Sequence, residues 1–476
     1  MQDGVSLQCV LKFNSLEDIT VKPSAFQNFV KDLDRGDIIS FRGTPYRTPS
    51  NELSVLATEL PTLLSKCTLP LPEKISNEET KSRSRHVHML IDPRPAQILH
   101  LRSEILKFMR NFLLQDGFVD VQTPILADTA GGAVARPFTT HATEFEDREL
   151  SLRIAPELWL KRLIIGGLER VFEIGPSFRN EGIDMTHNPE FWTCEFYKTY
   201  ADLNELVRMT ENMFSRLSQG VKAVLRVNDP DLSGFQADFS PPYRQLDFIT
   251  AIEQSMRCRL PDLTSPRAFE ELVAIFRGHN LNLPSNPTLP RLLDKLSNTY
   301  LEHKYKKPTW IVNHPECLSP LSKSFSHPEN GQRVAARAEL FVNGREVVNT
   351  YEEENSPVEQ RRKFEAQLLH KDPENANFKV DEAYLQALAS GMPPTGGWGC
   401  GIDRLCMLFA GTPRIADVLS FGTLRNVVGK SQENKLQSKS KQSQKSSSNE
   451  VQQHQQEDFV DRPAFENRST FDDDRY

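Results

Sequence analysis

Short β-rich runs that alternate with amphipathic helical runs are the feature that most constrains how this chain can fold. The β-rich runs lie between residues 150 and 351 and read LSLRIA, RVFEIG, FWTCEFY, RAELFVNG and REVVNTY. The helical runs include ELWLKRLIIGG, DLNELVRMTENMF and RLLDKLSNTYLEHKY. Because hairpin-like spacings dominate the β-rich part, we predict an α+β fold with an antiparallel sheet flanked by helices, rather than a parallel βαβ sheet.

Residues 1–72 predict a small, separate β unit. Two β-branched runs, 5–14 and 37–59, are interrupted by Gly, Pro and Asn and lie on either side of a short helical run. Prolines and a basic, serine-rich stretch then indicate a linker over residues 73–92. The Gln-, Ser- and Lys-rich residues 430–476 carry too little apolar surface to offset chain entropy, so we predict a disordered tail.

Residues 93–429 are the larger predicted domain, and they begin with an amphipathic helix at 98–114. Its apolar residues recur at i, i+3 and i+4, and Asp116-Gly117 is a stop signal. The strand FVDV and the pair Thr123-Pro124 follow directly. This order of helix, strand and Pro is the first of three segments that we single out.

Charge, hydropathy and cysteine usage exclude several classes of protein. With 57 basic and 64 acidic residues the net charge is -7, so binding of a nucleic acid requires a local basic face. No run of about 18 apolar residues exists, which predicts no membrane span. The seven cysteines are scattered without a CxxC pair, which predicts a reducing compartment and no structural zinc.

The second segment, residues 178–197, is rich in groups that could bind a nucleotide. Arg179 lies on a strand, a turn with Gly, His and Asn-Pro follows, and the next strand carries Glu195. Such an arrangement could clamp a phosphate, with Phe191 free to stack on a base. The alternative interpretation is a hairpin with a solvated loop and a surface ion pair.

The third segment, residues 396–409, is a glycine-rich strand followed by an apolar helix. Alternating glycines permit close approach of a ligand, and Arg404 near the helix N-terminus suits a phosphate. Equally, the glycines could serve only to pack the strand against a helix. The spacing of Gly422 and Gly429-Lys430-Ser431 does not match a P-loop.

In this order the three segments resemble motifs 1, 2 and 3 of class II aminoacyl-tRNA synthetases. The stretches GGAVARPF at 131–138, RIAPEL at 153–158 and FRNEGIDMTHNPEF at 178–191 are most similar to lysyl-tRNA synthetases. The ending IADVLSFGTLRNVV resembles the fungal mitochondrial branch. The resemblance implies a class II catalytic domain over 93–429, a homodimer formed through helix 98–114 and Pro124, and a partial OB-fold at 1–72 that reads the anticodon.

The resemblance also implies an ATP site in which Arg179 and Arg404 are catalytic. Arg179 would bridge the amino-acid carboxylate and the α-phosphate, and Glu339 and Glu346 would hold Mg²⁺ through oxygen ligands. On sequence alone, a carboxylate pair of this kind is more often a solvated strand face. The implied ATP-binding residues are Arg179, Glu181, His187, Asn188, Phe191, Glu339, Glu346 and Arg404.

An implied lysine site must recognise two ammonium groups and a carboxylate. Two buried carboxylates that face each other are costly unless a cation lies between them, so this pocket should select a cationic substrate. The implied residues are Gly132, Glu157, Arg179, Glu195, Tyr197, Asn349 and Glu353. The stretch NTYEEEN at 349–355 departs from the usual NGFSELN of the family but keeps the spacing from Asn349 to Glu353.

The implied activity is ATP-dependent formation of lysyl-adenylate from L-lysine and transfer to tRNA(Lys). Because the first residues align with the middle of the family's OB-fold, we expect a truncated start, without a mitochondrial presequence. The implied location is mitochondrial, with cytoplasmic as the alternative. Two other functions stay open: a paralogue that transfers lysine to a protein, which the OB remnant disfavours, and a non-catalytic RNA-binding or scaffold protein, which the arginines and acidic residues disfavour.

Overall fold

A computed structural model describes residues 6–128, 131, 135–228, 238–369 and 380–428. Compactness divides the chain into residues 1–426 and 427–476. The second unit contributes two described residues, Val427 and Val428, which are both exposed. The tail predicted at 430–476 lies outside the described residues, and so does Gly132.

Short strands around one helix form the N-terminal region. In chain order the elements are β1 (Gln8–Val10), α1 (Pro23–Asp32), β2 (Ile38–Ser40), β3 (Gly43–Arg47), β4 (Leu53–Ala57) and β5 (Thr62–Ser65). They pair as two separate sheets, β1-β4-β3 and β2-β5, with β1 parallel to β4. β-strands are therefore present in this region, but no closed barrel forms among residues 6–65, and the OB-fold barrel is not confirmed.

The linker predicted over residues 73–92 contains two short helices, α2 (Glu78–Arg83) and α3 (Arg85–Ile91). Asn77 caps α2, since its side-chain oxygen accepts a hydrogen bond from the Thr80 backbone N–H at 2.9 Å. The buried Arg85 donates from Nη2 to the carbonyl of Asp417 at 2.7 Å. The segment is thus attached to the C-terminal part of the same unit.

The predicted helix at 98–114 is confirmed as α4 (Arg94–Gln115). Its buried side chains include Ile98, Leu101, Ile105 and Met109, which lie on one face at the predicted spacing. The helix ends at Asp116-Gly117, where Gly117 has a φ of +77° that favours glycine.

The remaining elements follow in chain order. They are β6 (Val119–Asp120), β7 (Leu126–Ala127), β8 (Thr139–Ala142), β9 (Phe145–Leu152), α5 (Glu157–Ile165), β10 (Arg170–Phe178), β11 (Glu190–Thr199), α6 (Leu203–Asn228), β12 (Arg244–Asp247), α7 (Phe248–Met256), α8 (Ala268–Gly278), α9 (Leu289–Tyr300), β13 (Thr309–Val312), β14 (Ser324–Ser326), β15 (Arg333–Ala335), β16 (Arg337–Val342), β17 (Arg345–Glu352), α10 (Pro357–Leu369), α11 (Glu382–Leu388), β18 (Thr395–Gly401), α12 (Ile402–Ala410), α13 (Ile415–Val418) and α14 (Leu424–Val428).

An eight-stranded sheet with the order β12-β13-β16-β17-β18-β11-β10-β6 is the centre of the large domain. The strands from β13 to β10 are antiparallel, which confirms the prediction for the inner sheet. The outer pairs, β12 with β13 and β10 with β6, are parallel. Parallel neighbours need long crossover connections, and the segments that contain α5 and α7 to α9 provide them.

Three apolar clusters among the described residues support this sheet, and the third of them joins α5 and α11 to β10 and β11. In the first, α4, α6 and α12 pack with the sheet, and the rings of Phe196 and Trp398 stack at a centroid distance of 4.8 Å. In the second, side chains of α7, α8 and α9 such as Phe276 and Leu292 surround the ends of β13 and β16. No helix in the described ranges combines the length and the apolar character that crossing a bilayer requires.

Candidate active site

A cavity of about 620 Å³ lies over β11, β16, β17 and β18. Most of the residues predicted for ATP, metal and lysine line it, although they come from distant parts of the sequence. The predicted residues that line it are Glu157, Arg179, Glu181, His187, Asn188, Phe191, Glu195, Tyr197, Glu339, Glu346, Asn349 and Arg404. Gly132 lies outside the described residues, and Glu353 is fully buried without lining the cavity.

Strand β18 gives the site its floor. It lies between β11 and β17, and its register sets Gly399 opposite Glu195 on one side and Asn349 on the other. Gly397 likewise lies between Tyr197 and Tyr351. Because opposite residues in a sheet point to the same face, the polar side chains of two strands project on both sides of a strip without side chains.

The glycines of β18 differ in role according to the face of the sheet on which each one lies. A Cβ on Gly396 would lie 2.8 Å from Leu206 Cδ1, so this residue packs against α6. A Cβ on Gly397 would overlap the Glu353 carboxylate. Gly399 and Gly401 line the cavity, and a Cβ there would meet nothing closer than 3.6 Å and 3.8 Å respectively. The run therefore serves packing on one side and an open binding face on the other.

Arg179 follows β10 and points into the cavity beside an aromatic ring. Its Cζ lies 5.1 Å from the centre of the Phe191 ring, which is within the range of a cation–π contact. Its Nε is buried and has no hydrogen-bond acceptor among the described residues. A cation with a buried, unpaired N–H is suited to bind an anion, because an unsatisfied buried donor is costly.

Arg404 joins the second and third sequence segments. Its Nη2 lies 2.9 Å from His187 Nε2, and its Nη1 lies 3.2 Å from Glu346 Oε2. His187 Nδ1 in turn contacts Asp184 Oδ2 at 2.8 Å. Partial burial raises the pKa of Asp184, but hydrogen bonds from the Thr186 backbone and from His187 outweigh this and lower the pKa to about 2. The loop is thus fixed to α12 by a chain of charged contacts.

The carboxylates of Glu339 and Glu346 both reach the cavity from neighbouring strands. His314 Nε2 lies 3.1 Å from Glu339 Oε2, and Arg337 contacts Oε1. Desolvation acts to raise the pKa of Glu339, but Arg337 and His314 lower it to about 2. Burial and the charge of Glu339 raise the pKa of Glu346. Cation binding between two such carboxylates would relieve their repulsion.

This donor set fits a hard divalent cation that keeps other ligands. Mg²⁺ is commonly held by one or two carboxylates together with phosphate oxygens and water. Within the described ranges no group of three His, Cys, Asp or Glu side chains comes together as a metal site.

The deepest part of the cavity holds two carboxylates, Glu157 and Glu195, and two phenols. The Tyr351 hydroxyl donates to Glu157 Oε1 at 2.7 Å, and the Tyr197 hydroxyl donates to Glu195 Oε2 at 3.4 Å. Burial, and after it the charge of Glu157, raise the pKa of Glu195 to about 8. An incoming ammonium group would reverse this rise, so the pocket favours a cationic ligand.

Sequence reasoning missed three residues that line the cavity: Arg337, Asp294 and Tyr351. Arg337 could have been predicted, because it precedes Glu339 by two residues and therefore lies on the same face of the strand. Tyr351 stands two residues after Asn349 on the same face. Asp294 comes from α9, and nothing in its local sequence indicates that this helix meets the site.

The comparisons with known proteins agree with the geometry. A sequence-family model described as tRNA synthetases class II (D, K and N) matches residues 77–425. The mitochondrial lysine–tRNA ligase of Schizosaccharomyces pombe is 41% identical over 408 residues, which cover 84% of this chain and 75% of the relative. The lysine–tRNA ligase cla4 of Cladosporium cladosporioides is 38% identical over 417 residues, or 85% of this chain and 69% of the relative.

A bacterial protein is similar to the same extent. The lysine–tRNA ligase of Staphylococcus epidermidis is 40% identical over 404 residues, which cover 84% of this chain and 79% of the relative. The family that the three sequence segments resemble is confirmed by these matches. The chain belongs to the lysine–tRNA ligase family of class II tRNA synthetases.

Proposed function

We propose that the protein activates L-lysine with ATP to lysyl-adenylate and transfers the lysyl group to the 3′ end of tRNA(Lys). The observation that carries this proposal is the meeting of Arg179, Arg404 and the Glu339/Glu346 pair around one cavity that also contains Glu157 and Glu195. Phosphate-binding cations and ammonium-binding carboxylates thus lie within one site.

In the first step an oxygen of the lysine carboxylate attacks the α-phosphorus of ATP. A new P–O bond forms, the bond to the β-phosphate oxygen breaks, and pyrophosphate leaves with the electron pair. No general base is needed, because the carboxylate is already an anion. Arg179 would contact the carboxylate and the α-phosphate, where negative charge grows in the transition state.

The outer phosphates would bind at Arg404 and His187, and adenine would lie against Phe191 with Glu181 and Asn188 near its edge. Mg²⁺ held by Glu339 and Glu346 would supply neutralisation of phosphate charge. Arg337 keeps Glu339 ionised in the absence of the ion, since it contacts Oε1 directly.

The lysine side chain would extend along the glycine floor towards the buried carboxylates. Glu157 with the Gly132 carbonyl would accept the α-ammonium group, and Asn349 would assist the carboxylate. Glu195, Tyr197 and Glu353 would receive the ε-ammonium group. Glu353 Oε1 is buried without a hydrogen-bond donor in the part of the chain that the structure describes, which suits an acceptor awaiting a ligand.

The second step requires tRNA, and residues 1–72 are the proposed anticodon reader. Lys12 Nζ lies 4.8 Å from the Tyr46 ring centre and donates to the Tyr46 hydroxyl at 3.2 Å. Exposed cations beside aromatic rings are what single-stranded RNA contacts use. We propose a mitochondrial site of action because the S. pombe relative is named mitochondrial, and the bacterial relatives favour the cytoplasm as its alternative.

A homodimer through motif 1 completes the proposal. The strand β6 is an outer strand of the large sheet, and its Val119 is exposed, as are Ile125 and Leu126, which follow it in the chain. A strand edge flanked by exposed apolar side chains is a surface that a second copy can cover.

The deciding experiment is lysine-dependent ATP–pyrophosphate exchange, with aspartate and asparagine as controls and tRNA(Lys) charging measured in parallel. Exchange with lysine together with charging supports the proposal. Exchange without charging would mean an intact catalytic domain whose partial N-terminal unit does not serve tRNA, and no exchange with any amino acid would favour a non-catalytic protein.

A further inference from the structure

Lys161 is a buried cation that the proposed reaction does not use. It lies on α5 and its side chain is 0% exposed. Lysine is almost never fully buried without a charged partner, and here there are two. Its Nζ lies 2.6 Å from Glu157 Oε1 and also contacts Glu353 Oε2.

The position of Lys161 is fixed from several elements at once. Glu157 stands four residues earlier on the same helix face, whereas Glu353 follows β17. The rings of Tyr197 and Tyr351 lie beside the ammonium group, with centroids at 5.9 Å and 5.7 Å. The ammonium is thus enclosed by groups that belong to the proposed amino-acid pocket.

Among the described residues, the contacts of each of the two carboxylates with Lys161 and Tyr351 involve a single oxygen. Lys161 contacts Oε1 of Glu157 and Oε2 of Glu353, and the Tyr351 hydroxyl also donates to Oε1 of Glu157. The second oxygen of each carboxylate is left for another donor. This geometry orients the carboxylates of Glu157 and Glu353 and leaves one oxygen of each able to accept a hydrogen bond from a ligand.

The charges of the pocket then match those of the substrate. In their ionised forms, which a bound cation favours, Glu157, Glu195 and Glu353 supply three negative charges, and Lys161 offsets one of them, which leaves two. L-lysine brings two ammonium groups, while its carboxylate is assigned to Arg179. Without Lys161 the buried site would carry one uncompensated negative charge, and such a group keeps a proton instead.

We propose that Lys161 is a positioning residue of the amino-acid pocket, an internal cation that orients Glu157 and Glu353 and sets the pocket charge equal and opposite to that of the two substrate ammonium groups. The inference rests on the proposed function, because it assigns a role to the same pocket. It adds a residue that touches neither ATP nor the reacting atoms.

The direction of the pKa shifts agrees with this role. Desolvation acts to lower the pKa of Lys161, but the charges of Glu157 and Glu353 outweigh it and raise the pKa above its ordinary value. Burial raises the pKa of Glu353, and Lys161 is the group that opposes this rise most. Removal of Lys161 therefore leaves Glu353 protonated to higher pH.

The test is Lys161→Met, measured by lysine-dependent ATP–pyrophosphate exchange between pH 6.5 and 8.5. At pH 7 we expect the KM for lysine of the variant to be at least about tenfold higher than that of the wild type. As the pH rises, the KM of the variant should fall more steeply than the KM of the wild type. The KM for ATP should stay within about twofold. An unchanged lysine KM with an unchanged pH profile would overturn the inference.

The chain offers a matched control in Lys363. It is also buried, and its Nζ contacts Glu354 Oε2 at 2.7 Å and the Ser322 carbonyl at 2.5 Å, yet neither Lys363 nor Glu354 lines the cavity. Lys363→Met should lower thermal stability without a change in the pH profile of lysine KM. Equal changes in both variants would mean that Lys161 is merely structural.

A double variant keeps the inference testable if Lys161→Met does not fold. Lys161→Met with Glu353→Gln removes one cation and one carboxylate and so restores the net charge. We expect its lysine KM to follow the pH as steeply as in the wild type, and a steeper dependence overturns the inference. Absence of lysine-dependent exchange in the wild type would instead refute the proposed function.

Discussion

Arg404 Nη2 lies 2.9 Å from His187 Nε2, although 217 residues separate them in the sequence. One belongs to the helix that follows the glycine strand, the other to the loop between β10 and β11. The contact brings two of the sequence segments to the same side of the cavity. A phosphate that enters there meets a guanidinium whose orientation is set by His187 and Glu346.

The role of Arg179 predicts a large loss of activation in Arg179→Ala. Removal of a group that stabilises growing charge costs about 10²- to 10³-fold in kcat in other enzymes. We expect a loss of this size in ATP–pyrophosphate exchange with little change in Tm, because the Arg179 Nε has no acceptor among the described residues that its removal would leave unpaired. Arg345→Ala is the control, since Arg345 does not line the cavity. Activity within about twofold of wild type in Arg179→Ala would contradict the assignment.

The pKa of Glu195, raised to about 8 by burial, predicts pH-dependent binding of lysine. Below this pH the carboxyl holds a proton in the free enzyme, and that proton must leave before the ammonium group binds. The KM for lysine should therefore fall as the pH rises from 6.5 towards 8.5. In Glu195→Gln this dependence should flatten and the KM should rise about 100-fold. A steady-state pH series with both proteins measures this.

Gly397 predicts a site where a single methyl group is not tolerated. A Cβ there would overlap the Glu353 carboxylate and lie 2.8 Å from Tyr197 Cε1. Forced overpacking typically costs about 1–3 kcal/mol, so Gly397→Ala should lower the Tm by several degrees. Gly399→Ala is the matched variant on the same strand face, where the nearest atom is 3.6 Å away. Equal Tm values for the two variants would show that the close approach is absent.

The pair of Glu339 and Glu346 predicts that loss of one carboxylate raises the Mg²⁺ concentration that the reaction requires. In Glu346→Gln we expect the Mg²⁺ concentration for half-maximal exchange to rise at least about fivefold, because one anionic oxygen ligand is lost. Glu302→Gln serves as the control, since Glu302 is partly buried nearby but does not line the cavity. A Mg²⁺ titration at saturating lysine measures both, and identical curves would refute the proposed ligand.

The exposed apolar surface beside β6 predicts a dimer that a single charge disrupts. Leu126→Glu should convert the dimer to a monomer in light scattering coupled to size-exclusion chromatography, because a buried carboxylate without a partner is costly. Val358→Glu replaces another exposed apolar side chain, on α10, and should leave the mass unchanged. A wild-type monomer at micromolar concentration would refute the proposed interface.

Local periodicity was enough to predict α4 and the inner antiparallel strands. Residues such as Ile98, Leu101 and Ile105 repeat on one helical face, and this pattern needs no knowledge of the partner. The outer parallel pairs were not predictable in this way. The strands β6 and β12 are two and four residues long, and their neighbours arrive only after long crossover segments.

The residues of the site likewise fall into those that local sequence predicts and those that it does not. Arg179 and Arg404 were found because each lies in a segment dense with polar groups or glycines. Lys161 and Tyr351 were not, because their importance comes from partners elsewhere in the chain: the Tyr351 hydroxyl reaches Glu157 across 194 residues of sequence. The sequence also does not show that one carboxylate oxygen of Glu353 contacts the buried ammonium group of Lys161.

The glycines of β18 leave a strip without side chains on the cavity face, and this strip sets the distance between the polar side chains of β11 and β17. Neighbouring strands lie about 4.8 Å apart, so Glu195 on β11 and Asn349 on β17 are separated by about 10 Å with no side chain between them. A channel of this breadth admits an extended aliphatic amine lying flat. Substitutions on the two bordering strands can therefore alter which end groups are recognised, whereas a side chain at Gly399 or Gly401 would project into the open face between them.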